Sequence, residues 1–261
     1  MDRLKLFLIT DESIYYPNFI LNFIKRTDDE IVGAIITKKT PRKVSFEKYF
    51  LNHFYHFKIS EFSELFRLKY SMKFKDIFSR RTKQEPFYSL KSLYNAFNID
   101  YFEIINNVNE NVHLKKIREK TPDIIINSSP YIFRKDILKI PRICCLNRHF
   151  GLLPSYRGLL AIFHALSNGE KYTGCSIHVM DEEIDHGSIL AQDKVKILDD
   201  DTLHSMHEKC FDIAVDTLIR AIDKARRDDF SDVGANLPPS YFSFPTSEQW
   251  SKFRNRGRQI I

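Results

Sequence analysis

Short apolar runs alternate with amphipathic stretches over the first 37 residues of the chain. Residues 4–10, LKLFLIT, and residues 30–37, EIVGAIIT, are apolar and largely β-branched or leucine-rich, as is typical of buried strands. The stretch between them carries apolar side chains at helical spacing, namely Phe19, Ile20, Phe23 and Ile24. Strand, helix and strand in this order predict a parallel βαβ unit.

Residues 39–95 interrupt this alternation. The stretch is rich in lysine and phenylalanine, and one aromatic side chain follows another every four residues: Phe62, Phe66, Tyr70, Phe74 and Phe78. Such a stripe is more typical of the packing face of a helix than of a ligand groove, and the interleaved lysines argue against a membrane helix. We expect a helical insertion that covers part of a site or contacts another subunit.

The alternation resumes after residue 100. Further strands are predicted at 101–106, 122–129 and 143–147, with a polar helix between the first two. Residues 159–168 predict an amphipathic helix that ends at Gly169.

The C-terminal part begins with two predicted extended segments over residues 172–198, joined by the turn DEEIDHG. Asp200 or Asp201 is predicted to cap a long helix that runs to about Arg227. The remaining residues contain three prolines and predict an ordered arm with a short final helix.

Composition supports a globular protein of 261 residues with a substantial core, since 43% of its residues are hydrophobic. No apolar run is long enough for a membrane helix, and the N-terminus lacks the cleavage site of a signal peptide. The cysteines show neither CxxC nor zinc-site spacing: Cys144, Cys145, Cys175 and Cys210. We expect reduced core thiols in a cytoplasmic protein, with Cys144 and Cys145 on opposite faces of one strand.

The chain is basic, with a formal net charge of +6. Lysine is spread along the chain rather than clustered, which disfavours a nucleic-acid-binding protein and fits an anionic substrate.

The candidate chemistry lies in Asn147, His149 and Asp185. An amide and an imidazole can polarise a carbonyl and stabilise an oxyanion, and an imidazole with a carboxylate can move protons, as acyl transfer to an amine requires. Asn147 and His149 are two residues apart, so both face the same side of an extended segment, where a predicted strand ends. By itself, Asn-x-His is more often structural. Asp181, Glu182 and Glu183 crowd the turn that holds Asp185, and this crowding predicts a raised pKa for one carboxyl group.

Two blocks of the sequence resemble one known family. NRHFGLLPSYRG, from Asn147 to Gly158, and GCSIHVMDEEIDHGSILAQ, which contains Asp185, are similar to the two signatures of the 10-formyltetrahydrofolate-dependent formyltransferases. The resemblance covers residues 100–215 well and the first third weakly. It implies a Rossmann-like α/β fold: a mostly parallel twisted sheet with flanking helices, a helical insertion and a short C-terminal arm. The implied organisation is a catalytic domain over residues 1–228 and an arm, residues 229–261, packed on it.

The resemblance also implies roles for particular residues. Asn147, His149 and Asp185 would be catalytic, and no metal would be needed. His178 matches a histidine of some members, and packing or catalytic support both remain open for it. His186 stands where many members have a smaller residue. The implied contacts of the folate donor are Ser129, Tyr131, Ile132, Phe133, Met180, Asp181, Glu182 and Glu183, and those of the amine substrate are Tyr156, Arg157 and Gly158.

Three branches of the family are disfavoured by what the sequence lacks. The first predicted strand is followed by TDESIYYPN, without the glycine-rich phosphate loop of glycinamide ribonucleotide enzymes. About 35 residues follow the long helix, too few for the C-terminal barrel of methionyl-tRNA formyltransferases, and the N-terminal regulatory domain of formyltetrahydrofolate hydrolases is missing.

The remaining branch is that of the sugar N-formyltransferases, which act on nucleotide-linked amino sugars for surface polysaccharides such as lipopolysaccharide O-antigen. The resemblance therefore implies a cytoplasmic enzyme that uses 10-formyltetrahydrofolate and a small amine, with no membrane or nucleic-acid partner; a homodimer is left open. Tyr15, Tyr16, Tyr241 or Phe242 could stack on a base, although aromatic side chains more often belong to the core. The alternatives are a methionyl-tRNA formyltransferase-like enzyme without the barrel and a non-catalytic protein that binds folate or a nucleotide.

Overall fold

The computed structural model describes residues 3–38 and 53–261, which fold around a seven-stranded sheet. The strands are β1 (Lys5–Asp11), β2 (Glu30–Thr37), β3 (Tyr101–Ile104), β4 (Ile124–Ser128), β5 (Cys144–Phe150), β6 (Arg157–Gly158), β7 (Tyr172–Val179), β8 (Ile189–Lys196) and β9 (Tyr241–Phe242). The helices are α1 (Tyr16–Arg26), α2 (Ile59–Thr82), α3 (Leu90–Ala96), α4 (Asn111–Glu119), α5 (Lys135–Leu138), α6 (Ala161–Asn168), α7 (Leu203–Arg226) and α8 (Ser247–Asn255).

The sheet has the order β3-β2-β1-β4-β5-β7-β8. Its first five strands are parallel, whereas β7 is antiparallel to both β5 and β8. The short strands β6 and β9 pair outside this sheet and tie the loop after β5 to the arm. The predicted α/β fold with a mostly parallel sheet and flanking helices is confirmed.

Helices cover both faces of the sheet because its central strands are apolar on both sides. One face packs against α1, α3 and α7, and the other against α4 and α5. Cys144 lies in the first of these cores and Cys145 in the second, which confirms that the neighbouring thiols point to opposite faces. All four cysteines are free and buried.

The predicted insertion is only partly described, since residues 39–52 lie outside the described residues. Its last helix, α3, contributes Leu90, Leu93 and Tyr94 to the main core, so this helix belongs to the crossover that connects β2 with β3. The aromatic stripe lies on the helix α2, as expected. The stripe points away from the sheet and is exposed, so it is not buried against the other described elements.

The N-cap of the long helix α7 lies one residue after Asp201, the later of the two predicted caps. Thr202 is its N-cap, and the Thr202 hydroxyl accepts a hydrogen bond from the Ser205 N–H at 3.0 Å. Asp201, one residue before the cap, instead accepts the Leu198 N–H and pairs with Lys209. Neither Asp200 nor Asp201 is therefore the cap. No helix among residues 3–38 and 53–261 is both long and apolar enough to cross a membrane.

His207 of α7 makes the stability of the fold pH-dependent. Burial between Tyr15 and Phe150 lowers the pKa of its ring to about 4, and the nearby Arg148 lowers this pKa further, against the hydrogen bond to the Leu203 carbonyl. The ring is protonated in the unfolded chain below a pH of about 6.5, but in the folded protein only near pH 4. Acid therefore favours the unfolded chain, and the free energy of unfolding falls as the pH drops from 6.5 towards 4.

We therefore expect the free energy of unfolding of His207→Gln to decline less than that of the wild type between pH 7.5 and pH 4.5. The difference should be about 1–2 kcal/mol, because His207 is only partly buried. Urea unfolding at several pH values measures it, with the half-exposed His186→Gln as control. Equal pH slopes in all three proteins would show that His207 is not the group responsible.

Candidate active site

Asn147 and His149 both lie inside β5, which continues to Phe150, three residues beyond the predicted end. The parallel pairing with β4 ends at Asn147, and the strand continues because the antiparallel β7 pairs with it as far as Phe150. The two side chains share the face of the sheet that carries Cys145, as their spacing predicted. They therefore lie at the carboxyl end of the parallel part of the sheet, where ligand sites of α/β proteins gather.

A row of polar side chains crosses three strands at this point. Asn127 on β4 is the register partner of Asn147, and Asn147 is the partner of His178 on β7. The Asn127 amide donates to Asn147 Oδ1 at 3.2 Å, and the Asn147 amide donates to His178 Nε2 at 3.1 Å. The position of the Asn147 amide is thus fixed from both sides. Sequence reasoning missed Asn127, because its role depends on strand register.

Asp185 closes over this row from the loop between β7 and β8. Its backbone adopts a left-handed conformation with φ of 51°, which aspartate tolerates better than most residues. Its carboxylate lies between the two imidazoles, 3.4 Å from His149 Nδ1 and 3.4 Å from His178 Nε2. The Asn147 amide is 3.3 Å from Asp185 Oδ1. The structure therefore brings Asn147, His149 and Asp185 together, with His178 added.

The contacts of His149 fix its tautomer. Nε2 is 2.8 Å from the Tyr156 carbonyl oxygen, which can only accept a hydrogen bond, so Nε2 carries the hydrogen. Nδ1 of the neutral ring is then free to take a proton beside Asp185. Burial lowers the pKa of His149, against the opposing charge of Asp185, and the neighbouring His178 and Arg148 lower it further. The resting imidazole is therefore neutral near pH 7.

The carboxyl group of Asp185 is a stronger acid than the sequence suggested. Burial by itself would raise its pKa, but His149, His178 and the Gly158 N–H hold the pKa well below its usual range. The prediction that crowding in the turn raises a carboxyl pKa is wrong for Asp185, because Asp181, Glu182 and Glu183 point to solvent. Asp185 is therefore suited to stabilising an imidazolium ion rather than to holding a proton.

Gly158 connects the carboxylate to the arm. Its N–H donates to Asp185 Oδ2 at 2.8 Å. Its φ is +92°, and a Cβ atom there would lie 2.2 Å from the Phe242 carbonyl oxygen, so only glycine fits. The Leu159 N–H bonds to the same carbonyl at 2.9 Å. The pairing of β6 with β9 therefore places residues of the arm next to the polar cluster.

A cavity of about 540 Å³ lies beside this cluster, lined by Arg157, Glu182, Glu183, Ile184, Pro239, Ser240 and Tyr241. Two of the predicted folate contacts, Glu182 and Glu183, thus meet a predicted substrate contact, Arg157. Arg157 Nε is buried and makes no hydrogen bond with any residue of the described part of the chain. The Tyr241 ring is 60% exposed. The cavity therefore offers one cation, two carboxylates and an accessible aromatic ring.

The predicted folate contacts after β4 differ in burial. The side chains of Tyr131 and Phe133 are buried in the core, whereas Ile132 is exposed. Ser129 donates its hydroxyl hydrogen to Asn127 Oδ1 at 2.7 Å, which links this turn to the row of polar side chains. Tyr131 and Phe133 can therefore support the turn but cannot offer their rings to a ligand.

The opposite side of that predicted site is the start of the β7–β8 loop. The Met180 N–H bonds to the Cys145 carbonyl at 2.8 Å, and Asp181 accepts the Glu183 N–H at 2.8 Å. His186 is half-exposed, with Nδ1 3.5 Å from Asp181. His186 therefore contacts the loop itself and lies outside the cluster around Asp185.

The other predicted aromatic contacts fall into two groups. Tyr156 and Phe242 stack on each other with ring centroids 5.1 Å apart, beside the cavity. Tyr15 and Tyr16 lie on the opposite face of the sheet against α7, and Tyr16 bonds to Ser128 and Arg148 within the core. Tyr15 and Tyr16 therefore lie on the face of the sheet opposite to Asn147 and His149. Among the described residues, no group of histidine, cysteine and acidic side chains is arranged to hold a metal ion.

Comparison with known proteins gives a consistent picture. The family model described as formyl transferase matches residues 81–222. A methionyl-tRNA formyltransferase from Thermodesulfovibrio yellowstonii is 39% identical over 115 residues, which is 44% of this chain and 37% of the relative. The bifunctional polymyxin resistance protein ArnA from Wigglesworthia glossinidia brevipalpis is 42% identical over 123 residues, 46% of this chain and 18% of the relative. The chain thus spans well under half the length of these relatives.

Among solved structures, the sugar 3N-formyl transferase WlaRD, described in the presence of dTDP and 5-N-formyl-THF, covers all of this chain. The match has a TM-score of 0.61 and 16% sequence identity, and it includes 80% of the WlaRD chain. This likeness shows a shared fold. The family model includes Asn147, His149 and Asp185 and extends over more than half of the sequence, so the chain belongs to the formyl transferase family.

Proposed function

We propose that the protein transfers a formyl group from 10-formyltetrahydrofolate to the primary amine of a nucleotide-linked amino sugar. The observation that carries the proposal is that Asn147 and His149 both contact the Asp185 carboxylate, at 3.3 and 3.4 Å. An amide donor beside a neutral imidazole and an ionised carboxylate is the set of groups that amine acylation needs.

In this reaction, one residue would stabilise the developing negative charge and two would transfer the proton. The folate donor supplies the formyl group. Asn147 would donate to the carbonyl oxygen as negative charge develops there, in exchange for its long bond to Asp185. The imidazole of His149 takes the proton of the attacking amine at Nδ1, Asp185 stabilises the resulting imidazolium, and the proton then passes to the departing nitrogen.

The turn after β4 and the β7–β8 loop are compatible with a folate ring between them. Ser129 ties the turn to Asn127, and the Cys145 carbonyl holds Met180, so backbone groups of both segments border the polar cluster. The exposed Ile132 offers an apolar contact. Tyr131 and Phe133 would act only by supporting this wall.

The cavity supports a substrate that carries both an anionic and an aromatic group. The buried Arg157 Nε suits a phosphate oxygen, and the exposed ring of Tyr241 suits stacking on a base. Glu182 and Glu183 can attract a sugar ammonium group. A nucleotide-linked amino sugar combines all three features. Enzymes with this chemistry work in the cytoplasm, and we propose the same location here.

A methionyl-tRNA formyltransferase-like activity is the second candidate, favoured by the 39% identical relative. Incubating the purified protein with 10-formyltetrahydrofolate and a panel of amino-sugar nucleotides, or with charged initiator tRNA, separates the two. We expect tetrahydrofolate release only with one or a few amino-sugar nucleotides. Turnover with charged initiator tRNA but with no amino-sugar nucleotide would refute the proposed substrate class. Binding of the folate donor without turnover on any amine would refute the proposed enzymatic activity.

A further inference from the structure

The most exposed apolar feature of the described chain is the aromatic ridge of α2, formed by Phe62, Phe66, Tyr70, Phe74 and Phe78. These side chains are 37%, 62%, 51%, 65% and 57% exposed, respectively. At four-residue spacing, each side chain is rotated by about 40° from the previous one, so the ridge sweeps an arc of about 160°. This arc lies opposite the side of α2 that faces α3, α8 and the other described elements.

The inward side of α2 is firmly attached. Glu61 binds Arg254 of the arm through both carboxylate oxygens, at 2.7 and 2.5 Å. Nearly two turns before the end of the helix, Asp76 accepts a hydrogen bond from the Ser92 hydroxyl of α3 at 2.6 Å. Leu65, between these anchors, packs against the core beneath α8. Buried polar contacts near both ends of α2 therefore fix its rotation about the helix axis. The helix cannot turn to bury the ridge without breaking them.

The area of the ridge is close to what a protein interface requires. With about 200 Å² for a whole aromatic side chain, the five rings expose about 500 Å², and the exposed Ile59 and Ile77 lie within the same arc. An interface of standard size buries about 800 Å² on each partner. The ridge and the stems of its flanking lysines together supply an area of that order.

The spacing of the ridge makes it complementary to itself. Side chains four residues apart form the row that interdigitates when two helices cross at about −50°. Two antiparallel copies related by a two-fold axis at Tyr70 bring the Tyr70 rings together and place Phe66 of each copy against Phe74 of the other. We propose that the aromatic ridge of α2 is the two-fold interface of a homodimer, centred on Tyr70.

The charges on α2 distinguish this partner from an anionic surface. Arg67 and Arg81 lie within the aromatic arc at 100° per residue, where they would have to enter the apolar layer of a bilayer. Against a second copy, their guanidinium groups can stack on the aromatic rings. Lys69 and Lys73 meet like charges across the axis, because the acidic Glu61 and Asp76 are buried and paired. Salt should therefore strengthen the dimer, whereas salt weakens binding to an acidic partner or anionic lipid.

The first test measures mass by sedimentation equilibrium at low and high salt. We expect a dimer whose dissociation constant falls as salt is added, and rises about 100-fold or more in Phe66→Glu/Phe74→Glu. Val112→Glu, an exposed valine on α4, is the matched control and should stay dimeric. A wild-type protein that is monomeric, or a dimer unaffected by the double substitution, would overturn the proposal. Monomer that sediments with phosphatidylglycerol vesicles would assign the ridge to lipid instead.

The second test uses the symmetry. Because the four native cysteines are buried, Tyr70→Cys introduces an exposed thiol that meets only its own copy. We expect Tyr70→Cys to form a disulfide-linked dimer under mild oxidation, while Val112→Cys remains monomeric on a denaturing gel. Equal cross-linking of both variants, or none of Tyr70→Cys in a protein that sediments as a dimer, would exclude the axis at Tyr70.

Discussion

Replacing Asp185 by asparagine is expected to lower kcat for formyl transfer by about 10²- to 10⁴-fold while the protein stays folded. Asparagine has the same shape and tolerates the left-handed backbone at this position. It removes the negative charge that lies 3.4 Å from His149 Nδ1 and from His178 Nε2. The imidazolium of His149 then loses its counter-charge when the amine proton arrives.

The pH profile separates this role from a structural one. Asp185 raises the pKa of His149 against burial, so its removal lowers that pKa further. The wild-type rate should fall as the pH drops below the His149 pKa, and in Asp185→Asn this acid limb should move to lower pH beneath a much lower plateau. Turnover, the affinity for the folate donor and the thermal midpoint are measured together.

His186→Ala is the matched control for Asp185→Asn, since the half-exposed neighbour pairs with Asp181 and Glu183 of its own loop. We expect His186→Ala to stay within about twofold of the wild-type rate, as is usual for surface substitutions. An Asp185→Asn protein with more than a tenth of the wild-type kcat would contradict the proposed proton transfer. Unchanged donor affinity together with lost turnover would also exclude a protein whose function is binding alone.

The parts of the site that the sequence predicted are those set by local pattern. The alternation of side chains along β5 placed Asn147 and His149 on one face and separated Cys144 from Cys145. The second motif placed Asp185 in a turn between two strands, and the structure brings that turn onto β5. Local pattern is informative here because each of these features depends on a few consecutive residues.

The parts that the sequence could not predict depend on register and burial. Asn127 supports Asn147 only because β4 and β5 pair with these residues opposite each other. The lowered pKa of Asp185 results from two histidines on different strands, and no pattern in the DEEIDHG turn reveals it. The aromatic stripe of α2 predicted a helix correctly, but periodicity alone does not tell which side of a helix faces the protein.

The contact between Glu61 and Arg254 joins residues 193 positions apart in the chain, so no local sequence pattern reveals it. The Glu61 carboxylate is buried between α2 and the arm. Besides the two bonds from Arg254, it accepts the Ile260 N–H at 2.8 Å and the Lys58 N–H at 3.0 Å. Burial alone would raise its pKa, but Arg254 and these N–H groups lower it, so the group is ionised in the folded protein.

Glu61→Gln is expected to cost about 3–5 kcal/mol of the free energy of unfolding, because it leaves the Arg254 guanidinium buried without its counter-charge. For a chain of this size, the thermal midpoint should fall by roughly 6–20 °C. Glu64→Gln, an exposed glutamate one turn later on α2, is the matched control and should change stability by less than about 0.5 kcal/mol. A midpoint within the error of the wild type would show that the arm is held by other contacts.

Glu61→Gln should also affect catalysis, because the arm connects Arg254 to the active site. Arg254 belongs to α8, and the arm that contains α8 also carries β9, whose pairing with β6 positions Gly158 against Asp185. Loosening the arm should therefore raise KM at temperatures well below the midpoint, while kcat changes less because Asn147 and His149 stay on β5. The double variant Glu61→Gln/Arg254→Gln should lose less stability than the sum of its single variants, since removing both charges leaves neither one unpaired. Additive losses would show that the two side chains act separately.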